Sequence, residues 1–283
     1  MDQAEPFDRR LRRLRRTRAA LSGGDADYLL RHAADELIER LQSVRREFRR
    51  ALVVGCIDEA LPARLRAVGM EVVSADAGPG LADVQCDEDR LPFADAAFDL
   101  VLSVGALDSV NDLPGALALI RRALRPDGLF LGAFAGAGSL PTLRRALQAA
   151  EEAESLPASP RIHPQIDLRA AGDLLARAGL ALPVADGETV TVRFPSLLRL
   201  VADLRAMGAT NALAARSRRP LGRTGLAAAM AAFAAEADAD GKTPERFEIV
   251  YLTGWAPSPD QPQPAQRGSA TASLAEALKR GED

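Results

Sequence analysis

The stretch that most restricts how this chain can fold is 50–76, RALVVGCIDEALPARLRAVGMEVVSAD. An apolar run at 51–54 stops at Gly55, a helical stretch reaches Val68, and a second apolar run ends on Asp76. That succession predicts strand, turn, helix and strand, with an acid at the tip of the second strand. It is the opening unit of a nucleotide-binding α/β sheet. In such sheets the ligand lies beyond the carboxyl ends of the strands, and an acid about twenty residues past the first turn holds ribose hydroxyls. The turn itself is unusual for that role. A loop that brings its backbone up to a phosphate or an amino acid ordinarily needs several glycines, yet Gly55 is followed by Cys56, Ile57, Asp58 and Glu59.

The alternation continues downstream. FDLVLS at 98–103 is a continuous apolar strand of the kind buried on both faces of a parallel sheet. Asp112 and Pro114 open a helix that runs to Leu124, and Arg125-Pro126-Asp127-Gly128 turns the chain into a strand at 129–134. Helices are predicted at 142–154, 167–178, 195–207 and 226–237, with strand material at 180–194 and a last strand at 247–255. Asp186-Gly187 adds a turn signal inside the 180–194 segment. Strands alternating with helices predict a doubly wound α/β sheet. Ahead of it lie two helices. The first places Phe7, Leu11, Leu14 and Leu21 at helical spacing, which predicts that this apolar face packs inward and that the arginines point to solvent. The expected organisation is 1–48 as packing helices, 49–192 with 245–256 as the sheet domain, 193–244 as a helical insertion, and 257–283 as linker and tail.

At 283 residues and 47% apolar content, the chain can bury one α/β core plus accessory helices. The net charge of −3 does not point to nucleic acid, although seven arginines crowd between Arg9 and Arg18. Cys56 and Cys86 are the only cysteines, which suits a reducing compartment and no disulfide framework. No apolar run approaches a membrane span and no signal core precedes the arginines, so a cytoplasmic protein is expected. His32 and His163 are the only histidines, on a helix and in a proline-rich linker. A built-in iron site of two histidines and a carboxylate would need them to meet across the fold, so no metal is expected.

Taken in order, ALVVGC, VVSAD, DEDRLPFADAAFDLVLS, VNDLPGALALIRRALRPDGLFLGAFAG and AGDLLARAGL resemble the landmarks of class I methyltransferases that use S-adenosylmethionine. The nearest branch is the one containing the biotin-pathway malonyl-carrier-protein methyltransferase. FDRRLRRLRRTRAA, FPSLLRLVADLRAMGATNAL, IVYLTGWAPSP and QRGSATASLAEAL are similar to a narrower group, the complex I assembly factor 5 family. The resemblance implies a seven-stranded, Rossmann-like methyltransferase sheet with S-adenosylmethionine as cofactor. It implies that the amino-acid end lies near Gly55 and Cys56, the ribose on Asp76 and the adenine near Asp87 and Glu88, with Ser103 lining the methyl-donor cleft. From the residues alone, Asp87 and Glu88 suit a solvated acidic loop at least as well.

Two departures from the family pattern carry expectations of their own. Ile57 and Glu59 stand where glycines are usual and are expected to crowd a methionine carboxylate. Asp108 and Ser109 stand where relatives commonly have a histidine and an aromatic, which removes a base and a stacking surface. Two functions remain open. One is a methyltransferase-like enzyme acting on a protein side chain in respiratory complex I assembly, arginine modification included. The other is a catalytically degenerate fold that serves as an assembly chaperone for a complex I subunit, a role in which the tail at 267–278 would take part. In either case the implied partner is a respiratory complex I subunit or another protein substrate, and a complex I subunit would bring the chain to the inner membrane without a span of its own.

Overall fold

The opening unit folds as its apolar runs dictate. The computed structural model, which describes residues 5–22, 25–55 and 58–261, places β1 (Arg50–Val54), α3 (Ala60–Ala67) and β2 (Glu71–Asp76) in that order, after α1 (Arg9–Ser22) and α2 (Tyr28–Ser43). The chain continues through β3 (Val84–Gln85), β4 (Phe98–Val104), α4 (Leu113–Ala123) and β5 (Leu124–Ala135). It closes with α5 (Pro141–Ala153), α6 (Leu168–Arg177), β6 (Ala181–Phe194), α7 (Leu197–Ala206), α8 (Arg223–Ala234) and β7 (Thr243–Trp255). These strands form one seven-stranded sheet in the order β3-β2-β1-β4-β5-β7-β6. Pairing is parallel from β3 to β5, and β7 runs antiparallel to both β5 and β6.

Successive side chains of a strand point to opposite faces, so the unbroken apolar runs of β1, β4 and β5 supply two cores at once. Leu52, Val54, Val101 and Phe130 pack with α4 and α6 on one face. Ala51, Val53, Leu100, Leu102 and Leu131 pack with α2 and α3 on the other. Within α4, Leu117 and Ile120 are fully buried, and each such side chain contributes about 1.5–3 kcal/mol. A third cluster joins α5, α7 and α8 through Leu143, Ala146 and Ala150 on the first, Leu200 on the second and Phe233 on the third.

Local signals fix the helix starts. The carboxylate of Asp112 accepts the Gly115 N–H at 2.9 Å, that of Asp167 accepts the Ala170 N–H at 2.8 Å, and the Ser196 hydroxyl accepts the Arg199 N–H at 3.2 Å. Caps of this kind stabilise a helix by about 1 kcal/mol each. Among the described residues no helix is long and apolar enough to cross a membrane.

Two sequence expectations are overturned here. Asp186-Gly187 is not a turn, because β6 passes straight through it in unbroken register with β7 from Val184 to Phe194. Strand pairing satisfies the backbone there, while Arg40 of α2 holds the Asp186 carboxylate at 2.7 and 2.8 Å and offsets its poor strand propensity. The first helix departs in part from its predicted orientation: Phe7 is buried and Leu11 half-buried as expected, but the later leucines face out and Arg12 and Arg16 face in. Leu14 is 43% exposed and Leu21 80%, whereas Arg12 and Arg16 are buried. The tail at 267–278 lies outside the described residues, as do Cys56 and Ile57.

Candidate binding cleft

The strand tips bring most of the expected site residues together. Gly55 ends β1 with φ +80°, and a Cβ built there would lie 2.1 Å from the Ala106 Cβ and 3.7 Å from a Glu88 carboxylate oxygen. Only glycine fits that backbone and that spacing. Asp76 ends β2 at 1% exposure, with its Oδ1 accepting the Gly78 N–H at 2.7 Å. Asp87 and Glu88 follow β3, and both are buried. Ser103 lies near the end of β4, in register with Val54 and Gly132; it is fully buried, and its hydroxyl has no hydrogen-bond partner among the described residues.

What fills the cleft is α1. Arg16 donates from Nε to both oxygens of Asp76 at 3.1 and 3.0 Å, and from Nη2 to Oδ2 at 2.5 Å. Arg12 grips Glu88 with both Nη atoms at 2.7 and 2.8 Å, and its Nε donates to the Ser109 hydroxyl at 2.9 Å. Arg13 reaches Asp87 at 2.5 Å, and Arg9 holds both oxygens of Asp89 at 2.7 Å. Residues 9, 12, 13 and 16 share one helical face. The acidic loop is therefore not solvated, and the arginine face is not turned to water.

The physical reason is charge compensation. A carboxylate withdrawn from water is costly unless it is paired and hydrogen-bonded, and the planar guanidinium fork matches a carboxylate with two bonds at once. Four acids at the strand tips outweigh the two leucines, Leu14 and Leu21, that this orientation leaves exposed. Burial by itself would depress the Arg16 guanidinium, but the Asp76 carboxylate outweighs this and holds its pKa above the usual arginine value. Burial would likewise raise the Asp89 carboxyl, yet Arg9 holds it below the usual carboxylate range. Cys86 is pushed up to about 12 by burial, reinforced by Glu88, Asp87 and Asp76, so its thiol stays protonated.

In this arrangement the residues do not fit the adenosyl group that the resemblance implies. Both oxygens of Asp76, which a ribose would need, are engaged by Arg16, and both oxygens of Glu88 by Arg12. The expected crowding by Glu59 is not found. Its side chain is 61% exposed and holds Arg66 at 2.6 Å, so its charge is directed away from the cleft.

A second space of about 240 Å³ lies against the same arginines, between the tips of β4 and β5, α7 and the linker at 161–165. His163 lines it. Its Nε2 accepts the Ala212 N–H at 3.0 Å, and Phe7 meets the ring edge-on at 4.9 Å. Burial, the largest influence, lowers its pKa, so the ring is neutral near pH 7. His32 lies elsewhere, on α2, 2.9 Å from Glu188. Sequence reasoning missed the arginine face and the placement of His163. The signal for the arginines was present, since Arg9, Arg12, Arg13 and Arg16 match in number the acids Asp76, Asp87, Glu88 and Asp89.

Comparison with known proteins agrees with this architecture. Residues 52–132 match a family described as a methyltransferase domain. The zebrafish (Danio rerio) protein named arginine-hydroxylase NDUFAF5, mitochondrial, is 35% identical over 289 residues, covering 97% of this chain and 90% of that protein. The Homo sapiens protein of the same name is 34% identical, covering 95% of this chain and 82% of that protein. A malonyl-[acyl-carrier protein] O-methyltransferase from Xylella fastidiosa is 37% identical over 194 residues, covering 69% of this chain and 63% of that protein. Among solved structures, the YcgJ protein of Bacillus subtilis superposes with a TM-score of 0.54 at 15% identity, covering 80% of this chain and 99% of that chain.

Proposed function

The chain belongs to the family of the arginine-hydroxylase NDUFAF5 proteins, and from that premise we propose that it engages an arginine side chain of a partner protein, a subunit of respiratory complex I. S-adenosylmethionine is the candidate cofactor, and it enters the strand-tip cleft only when α1 withdraws its arginines. The observation that carries this reading is the pairing of Arg16 with Asp76 and Arg12 with Glu88. These acids lie at the strand tips, where sheets of this kind receive a nucleoside, and they are held shut from within the chain. A cytoplasmic protein that reaches the membrane only through its partner is consistent with this reading.

The same pairing favours a second reading, in which the fold serves complex I assembly purely as a binding module. Calorimetric titration of S-adenosylmethionine separates the two. In the first reading, wild type binds weakly, the Arg12→Ala/Arg16→Ala variant binds at least tenfold more tightly, and adding Asp76→Ala abolishes that gain. No binding by any variant up to millimolar ligand supports the module and rejects cofactor entry. Incubation with the complex I subunit, followed by peptide mass spectrometry, reads arginine modification directly.

A further inference from the structure

The cavity beside α1 is walled largely by apolar side chains, among them Leu29, Leu30, Leu143, Val201 and Leu204. Its ionised lining groups are paired almost throughout. Arg12 holds Glu88, Arg16 holds Asp76, Arg161 holds Glu151 at 2.6 Å, and Glu248 lies 3.2 Å from Arg246. Asp108, in the short turn Leu107–Ser109 after β4, is the exception: among the described residues its carboxylate has no hydrogen bond and no ion pair. Its charge is felt at Arg16 and at His163, but the Arg16 guanidinium is bonded to Asp76 and the His163 ring is neutral. A carboxylate facing a mainly apolar space loses hydration, and neither of these groups bonds to it in return. A ligand carrying a positive charge on an aliphatic stem supplies the missing partner and covers the leucines, which an anion or a neutral ligand cannot do.

We propose that Asp108 is the cation receptor of this cavity and that the cavity takes the side chain of an arginine presented by a partner protein. The proposal rests on the arginine-directed reading above and deepens it by naming the receiving residue. The guanidinium fork can engage both oxygens of Asp108, while its three-carbon stem lies on the leucine wall. A surface groove lined by Pro6, Pro160 and Leu213 shares Ile162, His163, Pro164 and Gln165 with the cavity, so a partner backbone can lie along the proline-rich linker. The cavity also shares Arg12 and Arg16 with the cleft, which sets the received side chain beside the strand tips. Where the resemblance expects a histidine, this chain has Asp108.

The test uses the full chain and three small probes in ligand-observed NMR titrations: n-butylguanidinium, n-butylammonium and the neutral n-butylurea. Wild type is expected to bind n-butylguanidinium best and n-butylurea least. Asp108→Asn is expected to weaken guanidinium binding about tenfold or more, as loss of a charge-assisted pair does, and Asp108→Glu to keep most of it. Asp108 makes no hydrogen bond or ion pair among the described residues, so the variants should melt with wild type. Equal guanidinium binding by wild type and Asp108→Asn overturns the proposal. So does binding of n-butylurea as tight as that of the cation, or the absence of guanidinium binding by wild type. The broader reading is tested separately by mass spectrometry of the partner. Cation binding lost in Asp108→Asn without any modified arginine keeps Asp108 and rejects the activity, whereas modified arginine with unchanged probe binding rejects Asp108 alone.

Discussion

Replacing Arg16 with methionine tests whether α1 is held by its buried charges. Methionine keeps much of the stem and removes the guanidinium, leaving the carboxylate of Asp76, 1% exposed, with the Gly78 N–H as its remaining hydrogen bond among the described residues. Breaking a buried pair by removing one partner costs about 3–5 kcal/mol. Undocking of α1 sets the ceiling, because a released helix lets water reach Asp76. For a chain of this size about 1 kcal/mol moves the melting temperature by roughly 2–4 °C, so a fall on the order of 10 °C is expected. Adding Asp76→Asn to Arg16→Met removes the stranded charge and should recover part of the loss. A urea-denaturation cycle over the two single variants and the double variant is expected to give a coupling energy of about 2–3 kcal/mol, near the upper end for residues in one network. Additivity within about 0.5 kcal/mol would refute the claim that these two groups compensate each other in the folded chain.

Two further outcomes follow from contacts already described. His163 has its pKa lowered by burial, so the unfolded chain binds its proton more readily; stability is full above about pH 6.5 and falls as pH drops below it, by at most about 1.4 kcal/mol per pH unit. Denaturant midpoints between about pH 7 and pH 5 should show this loss, and His163→Gln should flatten it. Leu21 is 80% exposed, so Leu21→Ala should change stability by no more than about 0.5 kcal/mol, where an inward-packed leucine would cost about 2–5 kcal/mol; thermal melting distinguishes the two.

The sheet was legible because its information is local. The apolar runs at 51–54 and 98–103 and the cap at Asp112 each report their own element, and their alternation reports the parallel core; the Arg125–Gly128 turn signal does not, since β5 begins at Leu124 and runs through it. The placement of Gly55, Asp76 and Glu88 at one edge follows from the same order. The orientation of α1 was not legible in that way. Its leucines gave a periodic apolar face, and periodicity assumes that an apolar core is what the helix meets. It meets Asp76 and the acids at 87–89 instead, and those lie far along the chain. The straight path of β6 was missed for a related reason, since the Asp186-Gly187 turn signal is local while its pairing with β7 and the Arg40 contact are not. His163 read as a linker residue because nothing near it in sequence announces Ala212 or Phe7.

The arginine clasp also orders the folding of the chain in time. Arg16 and Asp76 are separated by 60 residues, Arg12 and Glu88 by 76, and Arg9 and Asp89 by 80. Contacts of such long sequence separation form only after intervening loops have closed, so α1 has no place to dock until β1, β2 and the turn after β3 stand side by side. During synthesis the helix leaves the ribosome ahead of Asp76, Asp87, Glu88 and Asp89. This helix is thus expected to settle late, with the strand tips open until it docks.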